Sequence, residues 1–189
     1  MAHAVLLPGR RYGHDAPLMY YSGMLVERRG ATVHRHDWSP DAPSLPDSPD
    51  GAIERWVCAE AGRALSGIDG RPLIIGKSLG TYAALLAAER SLPAVWLTPL
   101  LRYSPATVTA FRRSTAPFLL VGGTADSAWD GDVAKQLTPY VLEVPGADHG
   151  MEVAGPATAS IEVLRQVAIA IDEFLDAIGW PPPEPASSA

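Results

Sequence analysis

Three residues of this 189-residue chain, Ser78, Asp126 and His149, occur in an order suited to nucleophilic chemistry. A serine alcohol is a weak nucleophile at neutral pH. It needs a base to take its proton, and the base needs a carboxylate to hold it in the productive tautomer. Ser78 is the centre of Gly76-Lys77-Ser78-Leu79-Gly80. That G-x-S-x-G pattern arises by chance roughly 0.1 times in a chain of this composition, so its context decides its meaning. The apolar run Pro72-Leu73-Ile74-Ile75 precedes it, and the Ala-rich segment Thr81 to Arg90 follows with helical spacing. This strand, tight turn and helix would present the serine Oγ at the carboxyl edge of a sheet, with the following backbone N–H groups facing the same space. Asp126 follows the apolar run ending at Val121, just past a strand, and His149 follows Val144 on the next such loop.

Each of these residues has a plainer alternative. Ser78 could cap the helix that begins near Leu79. Asp126 could cap a short helix from Asp130 to Leu137, leaving Asp130 or Asp132 as the acid. His149 competes with His3, His34 and His36, which lie before, in or after the first two strands, and Asp148 could cap the final helical region. Gly76-Lys77-Ser78 also ends like a phosphate-binding G-x-x-x-x-G-K-[ST] loop. That register would need glycine at Arg71 and would turn a strand into a glycine-rich nest, so nucleotide binding is disfavoured.

Six short apolar runs must position the three residues: Ala4–Leu7, Ala31–Val33, Pro72–Ile75, Ala94–Leu97, Pro117–Val121 and Tyr140–Val144. Helix-length segments separate them, with apolar residues three and four apart, as at Leu18, Tyr21 and Leu25. Continuous apolar strands separated by helices are buried on both faces, so the expected fold is α/β, a doubly wound, mainly parallel six-stranded sheet with the first strand interior. Ser39 to Gly51, with four prolines, reads as a surface loop ending in a helix cap near Asp50. The last helix is expected over Ile161 to Ile178, which makes one domain of residues 1–178 and a Pro-rich flexible tail of 179–189.

Composition restricts the partners. The formal charge is −6, from 15 basic and 21 acidic residues, which provides no global field for a phosphate backbone and argues against nucleic acid. The single cysteine, Cys58, excludes an internal disulfide or a paired-thiol site and suits a reducing compartment. Cys58 and Trp56 are expected to pack a helix against the sheet. The run Ala4–Leu7 is too short for a signal core or a membrane span, so a cytoplasmic protein without membrane contact is expected.

With the strand-turn-helix serine and the order Ser78, Asp126, His149, the chain resembles the α/β-hydrolase superfamily from Ala2 to Ile178, and is similar to small dienelactone-hydrolase-like members. The resemblance implies Ser78 as nucleophile, His149 as base and Asp126 as its orienting acid. It also implies an oxyanion hole formed by the backbone N–H of Leu79 and one from the loop Pro8–Gly13, with Arg10 the expected donor and Arg11 the reserve. The substrate would be a small-molecule ester or thioester, cleaved without a metal or organic cofactor. A non-catalytic binding protein, or a lyase or acyltransferase using the same triad, are the alternatives. The chain departs from the family in lacking a leading β-hairpin, which leaves a sheet edge that a second copy could cover as a homodimer. The loop Pro99–Ala116 is too short for a lid domain, and Pro8 stands where a histidine is often found, so an open, shallow site is expected. Around it, Arg11, Tyr12, His14, Arg102 and Trp129 are candidate rim residues. The arginines could select an anionic acyl group or simply be solvated loop residues, His14 could instead be a surface or helix-start residue, Trp129 could floor an acyl pocket or pack in the core, and Lys77 is expected to point into solvent.

Overall fold

Each of the six apolar runs forms a strand, and the strands lie parallel in one sheet. The computed structural model describes residues 1–40 and 51–182, and within them β1 is His3–Leu7, β2 Thr32–Arg35, β3 Leu73–Lys77, β4 Ala94–Leu97, β5 Phe118–Gly123 and β6 Val141–Val144. Their order is β2-β1-β3-β4-β5-β6, which puts β1 inside the sheet as expected. Three strands run further than their apolar residues suggest, because the ladder continues through polar and glycine positions. Arg35 pairs with Leu6, Lys77 with Leu97, and Gly123 with Val144.

The period of two in side-chain direction sorts each strand between two cores. Val5, Leu7, Ile74, Trp96 and Leu120 face α2 (Ala52–Ala64), α3 (Ala84–Arg90), α4 (Pro105–Arg113) and α5 (Gly131–Leu137). Ala4, Leu6, Ile75, Leu97 and Val121 face α1 (Pro17–Arg28) and α6 (Ala157–Ala177). Each buried Leu, Ile or Val contributes about 1.5–3 kcal/mol by leaving water, and both faces of the central strands gain in this way.

Several expectations change in detail. The segment Pro99–Ala116, expected as a loop, contains α4, which starts at Pro105 and is capped by the Ser104 hydroxyl accepting from the Thr107 N–H at 3.2 Å. The helix expected over Thr81–Arg90 begins as a tighter 3₁₀ turn, Ser78–Ala83, before α3. The cap expected at Asp50 lies outside the described residues; α2 follows Gly51, whose φ of 75° is left-handed. Beyond α6 the packed chain extends to Trp180, two residues into the segment expected as tail. Trp180 is buried, its backbone N–H donates to the Leu175 carbonyl at 2.8 Å, and its backbone carbonyl accepts from Arg29. The rest of that segment, from residue 183, lies outside the described residues.

This topology locates a crevice. The chain leaves β1 towards β2 at one edge and then returns to β3 on the other side of β1, so the connections after β1 and β3 diverge. In open parallel sheets that reversal, at the carboxyl ends of the strands, is where ligands bind. No helix among the described residues is long and apolar enough to cross a membrane.

Candidate active site

Ser78 stands at that reversal, directly after β3, with a φ of 48° that a serine adopts only when its surroundings hold it. The two glycines of the pentapeptide explain how the turn fits. A Cβ at Gly76 would come within 2.7 Å of the Trp96 ring and 2.8 Å of the Gly80 carbonyl oxygen. One at Gly80 would come within 2.2 Å of the Leu7 carbonyl oxygen. The pattern therefore packs the turn against β1 and β4, which leaves Oγ clear at the sheet edge.

The three residues separated in sequence meet there. His149 Nε2 is 2.8 Å from Ser78 Oγ, and His149 Nδ1 is 2.7 Å from Asp126 Oδ2. The Asp126 side chain is 2% exposed, whereas that of His149 is 41% exposed, so the carboxylate is enclosed and the imidazole is open to solvent. Asp126 Oδ1 accepts the Ala128 N–H at 2.9 Å, which fixes the carboxylate plane. The His149 loop is shaped by Asp148, whose Oδ1 accepts from the N–H groups of Gly150 (2.7 Å) and Glu152 (3.0 Å). Asp148 thus caps its own loop, not the final helix. Asp130 is the cap of α5, accepting from Val133 at 3.1 Å, and Asp132 is exposed in that helix's first turn.

Lys77 is a correction. Expected in solvent, it is 2% exposed, and its Nζ donates to the His149 carbonyl at 3.0 Å and to the Thr98 hydroxyl at 3.1 Å. The ammonium also stands 4.5 Å from the centre of the Tyr12 ring. Burial pulls its pKa down to about 8, against the opposing pull of Asp126 and Asp148. No periodicity in the sequence marks this lysine, because its partners come from three other loops.

Two cavities open from Ser78 and His149. One, of about 590 Å³, lies between the start of α2 and the segment that joins β4 to α4, and has mainly apolar walls, including Ile53, Leu79, Tyr82, Leu100 and Ala128. Arg10, Glu54, Tyr103 and Ser127 add polar groups to it. The Glu54 carboxylate accepts from the Ser104 hydroxyl at 2.9 Å; burial and Glu54 together push the Tyr82 phenol up to about 12. The other cavity, of about 390 Å³, is bounded by Gly9, Arg10, Arg11, Tyr12, Lys77 and Gly150. Its loop is a tight turn in which the Gly9 N–H donates to the Tyr12 carbonyl at 3.1 Å, with Arg10 and Arg11 at the tip.

The expected rim is therefore brought together only in part. Arg10, Arg11 and Tyr12 border the site, and Leu79 lies beside Ser78 in the larger cavity. His14 is turned away; its Nε2 lies 2.9 Å from the His36 carbonyl oxygen at the end of β2. Trp129 is buried against Gly122, where a Cβ would meet its ring at 2.1 Å, and its Nε1 donates to Glu143 at 2.8 Å. It is core beneath the Asp126 loop, not the floor of an acyl pocket. Arg102 lies 3.6 Å from Asp130 and borders a separate cavity on the far side of that loop. Glu54, Tyr82 and Tyr103, all in the larger cavity, carried no signal in the sequence beyond their types. Cys58 is half-buried against the helix-side core as expected, and burial pushes its thiol up, away from reactivity. Among the described residues, no three His, Cys, Asp or Glu side chains are grouped to hold a metal ion.

The parallel sheet with β1 inside, the strained serine after β3 and the open carboxyl edge define the α/β-hydrolase fold in its lidless form. No protein-family model matches the chain, and no curated protein does. Among solved structures it is similar to Est1E from Butyrivibrio proteoclasticus, seen with ferulic acid bound, at 14% identity and a TM-score of 0.68, covering 94% of this chain and 89% of that one. It is similar to an α/β serine hydrolase without a lid from Xanthomonas campestris, at 16% identity and a TM-score of 0.63, covering 97% and 84%. It is also similar to the Pyrococcus furiosus esterase Pf2001, at 13% identity and a TM-score of 0.63, covering 94% and 83%.

Proposed function

We propose that the protein is a serine hydrolase that cleaves a small ester or thioester through an acyl-enzyme. The observation that carries this reading is the unbroken chain from Ser78 Oγ to His149 Nε2 (2.8 Å) and from His149 Nδ1 to Asp126 Oδ2 (2.7 Å). Similar structures named as a serine hydrolase and as an esterase support it. Ser78 attacks the acyl carbonyl while His149 Nε2 takes its proton. His149 then returns that proton to the leaving oxygen or sulfur, and water repeats the sequence on the acyl-enzyme. Asp126 keeps Nδ1 protonated, so that Nε2 faces Ser78 as the acceptor. Leu79 is the second residue of the 3₁₀ turn Ser78–Ala83, and the first N–H groups of a helix have no carbonyl within it to bond; its N–H, together with that of Arg10, receives the oxyanion, each donor contributing about 3 kcal/mol.

The larger cavity falls within the roughly 300–1,000 Å³ usual for small-molecule sites and takes the apolar part of the substrate. The charged residues bordering the smaller one are Arg10, Arg11 and Lys77, all cationic, so a substrate with an anionic group on that side is favoured. The test is fluorophosphonate labelling of the purified protein beside Ser78→Ala and His149→Ala, with a short p-nitrophenyl ester assayed in parallel. Labelling and hydrolysis that require both residues are expected; folded wild type that neither labels nor hydrolyses would support a binding protein instead.

A further inference from the structure

We propose that Lys77 is the positioning residue of this site: its ammonium grips the backbone of the His149 loop and so holds the imidazole in line with Ser78. The proposal rests on the triad reading above. The grip joins four segments of the carboxyl edge. Lys77 ends β3 next to the nucleophile, its Nζ donates to the His149 carbonyl (3.0 Å) and the Thr98 hydroxyl (3.1 Å), and the Tyr12 ring lies 4.5 Å away. The loop after β6 is then held from both sides. The Ala125 N–H donates to the Ala147 carbonyl at 3.0 Å from the β5 side, and Lys77 takes the His149 carbonyl from the β3 side. Thr98 and Met151, at either side of this contact, have φ of 46° and 62°, conformations that persist only when the surroundings enforce them.

A charge-assisted hydrogen bond is roughly twice as strong as a neutral one, so the grip depends on the lysine's proton. The titratable groups that bear on Nζ are Tyr12 after β1, Asp126 after β5 and Asp148 after β6; His149 meets it with its backbone carbonyl, and Thr98 after β4 is neutral. Burial outweighs the two carboxylates and brings the ammonium down to about 8, so the grip is full below that pH and weakens above it.

The experiment follows the pH dependence of labelling by a fluorophosphonate probe, separated into kinact and KI, in wild type, Lys77→Met, Lys77→Arg and Ser78→Ala, with thermal unfolding of each. Wild type is expected to lose kinact above a midpoint near 8. Lys77→Met is expected to lose kinact about 100-fold with KI nearly unchanged, as a displaced base requires, and to lack the alkaline limb. Lys77→Arg, charged throughout the accessible range, is expected to recover part of kinact and carry no limb near 8. Lys77→Met labelled at the wild-type rate, an alkaline limb that persists in it, or loss of its cooperative unfolding overturns the positioning role while leaving the triad intact. Wild type that is not labelled, or Ser78→Ala labelled equally, overturns the triad reading and this role with it.

Discussion

Gly80 and the Leu7 carbonyl are in such close contact that a Cβ on the glycine would stand 2.2 Å from the oxygen. Backbone oxygen cannot rotate away as a side chain can, so Gly80→Ala must push the Ser78 turn off β1. A loss of about 2 kcal/mol is expected, a fall of several degrees in Tm, together with loss of probe labelling. Gly62→Ala is the contrast: within α2, with nothing inside 4 Å of the new Cβ, it should raise stability by about 0.5–1 kcal/mol. Equal, small effects at the two glycines would contradict this account of the pentapeptide.

Asp126 accepts from two directions, with Oδ1 on the Ala128 N–H and Oδ2 on the His149 ring. In Asp126→Asn the oxygen can keep Ala128, which turns the amide N–H₂ towards Nδ1. The imidazole must then carry its proton on Nε2, facing Ser78 as a donor and unable to act as base. A fall in kcat of about 10⁴ with little change in KM is expected from steady-state kinetics, while thermal unfolding stays near wild type.

Most of this arrangement was legible along the chain, and the reasons are local. Strands buried on both faces must be apolar throughout, so the six runs declared themselves, and a parallel sheet sends the ends of β3, β5 and β6 to one edge with Ser78, Asp126 and His149 on them. The residues that the chain alone misplaces, as with Lys77, or leaves open, as with Trp129 and His14, are those whose environment is made by distant segments. Lys77 has a side chain that usually seeks water, yet the ladder carries it beside Leu97 and into reach of Thr98 and His149. Trp129 next to the acid loop looked available to a ligand, but the missing side chain at Gly122 gave its ring a place in the core. His14 follows the turn that borders the site, and the end of β2 draws it away.

Arg11 is exposed at the tip of the turn after β1, on the border of the smaller cavity, and that cavity's charged residues are all cationic. One solvent-screened charge at contact distance is worth about 1 kcal/mol, so reversing it doubles the effect. Arg11→Glu is expected to lower kcat/KM for an ester bearing a carboxylate about tenfold or more, and to leave a neutral ester of equal size nearly unchanged. The preference should shrink as salt is raised to 1 M, where the screening length is about 3 Å. Equal losses on the two esters would show that the turn acts on geometry and not on charge.

The buried ammonium of Lys77 also predicts how stability depends on pH. An unfolded lysine titrates near 10.5 and the folded one near 8, its pKa pulled down by burial, so between these values the unfolded chain binds more protons than the folded one. Stability therefore rises with pH across that window, because below 8 the fold carries the cost of a buried charge that it sheds above. A shift of this size corresponds to about 3 kcal/mol. Denaturant unfolding of wild type from pH 7.5 to 10.5 should show that gain relative to Lys77→Met, which has no such proton to lose. Activity and stability then move in opposite directions through the same titration, since the proton that holds the His149 loop is the one the fold is better without. Parallel pH–stability curves for the two proteins would mean that Lys77 keeps an ordinary lysine's proton and is not desolvated as its contacts require.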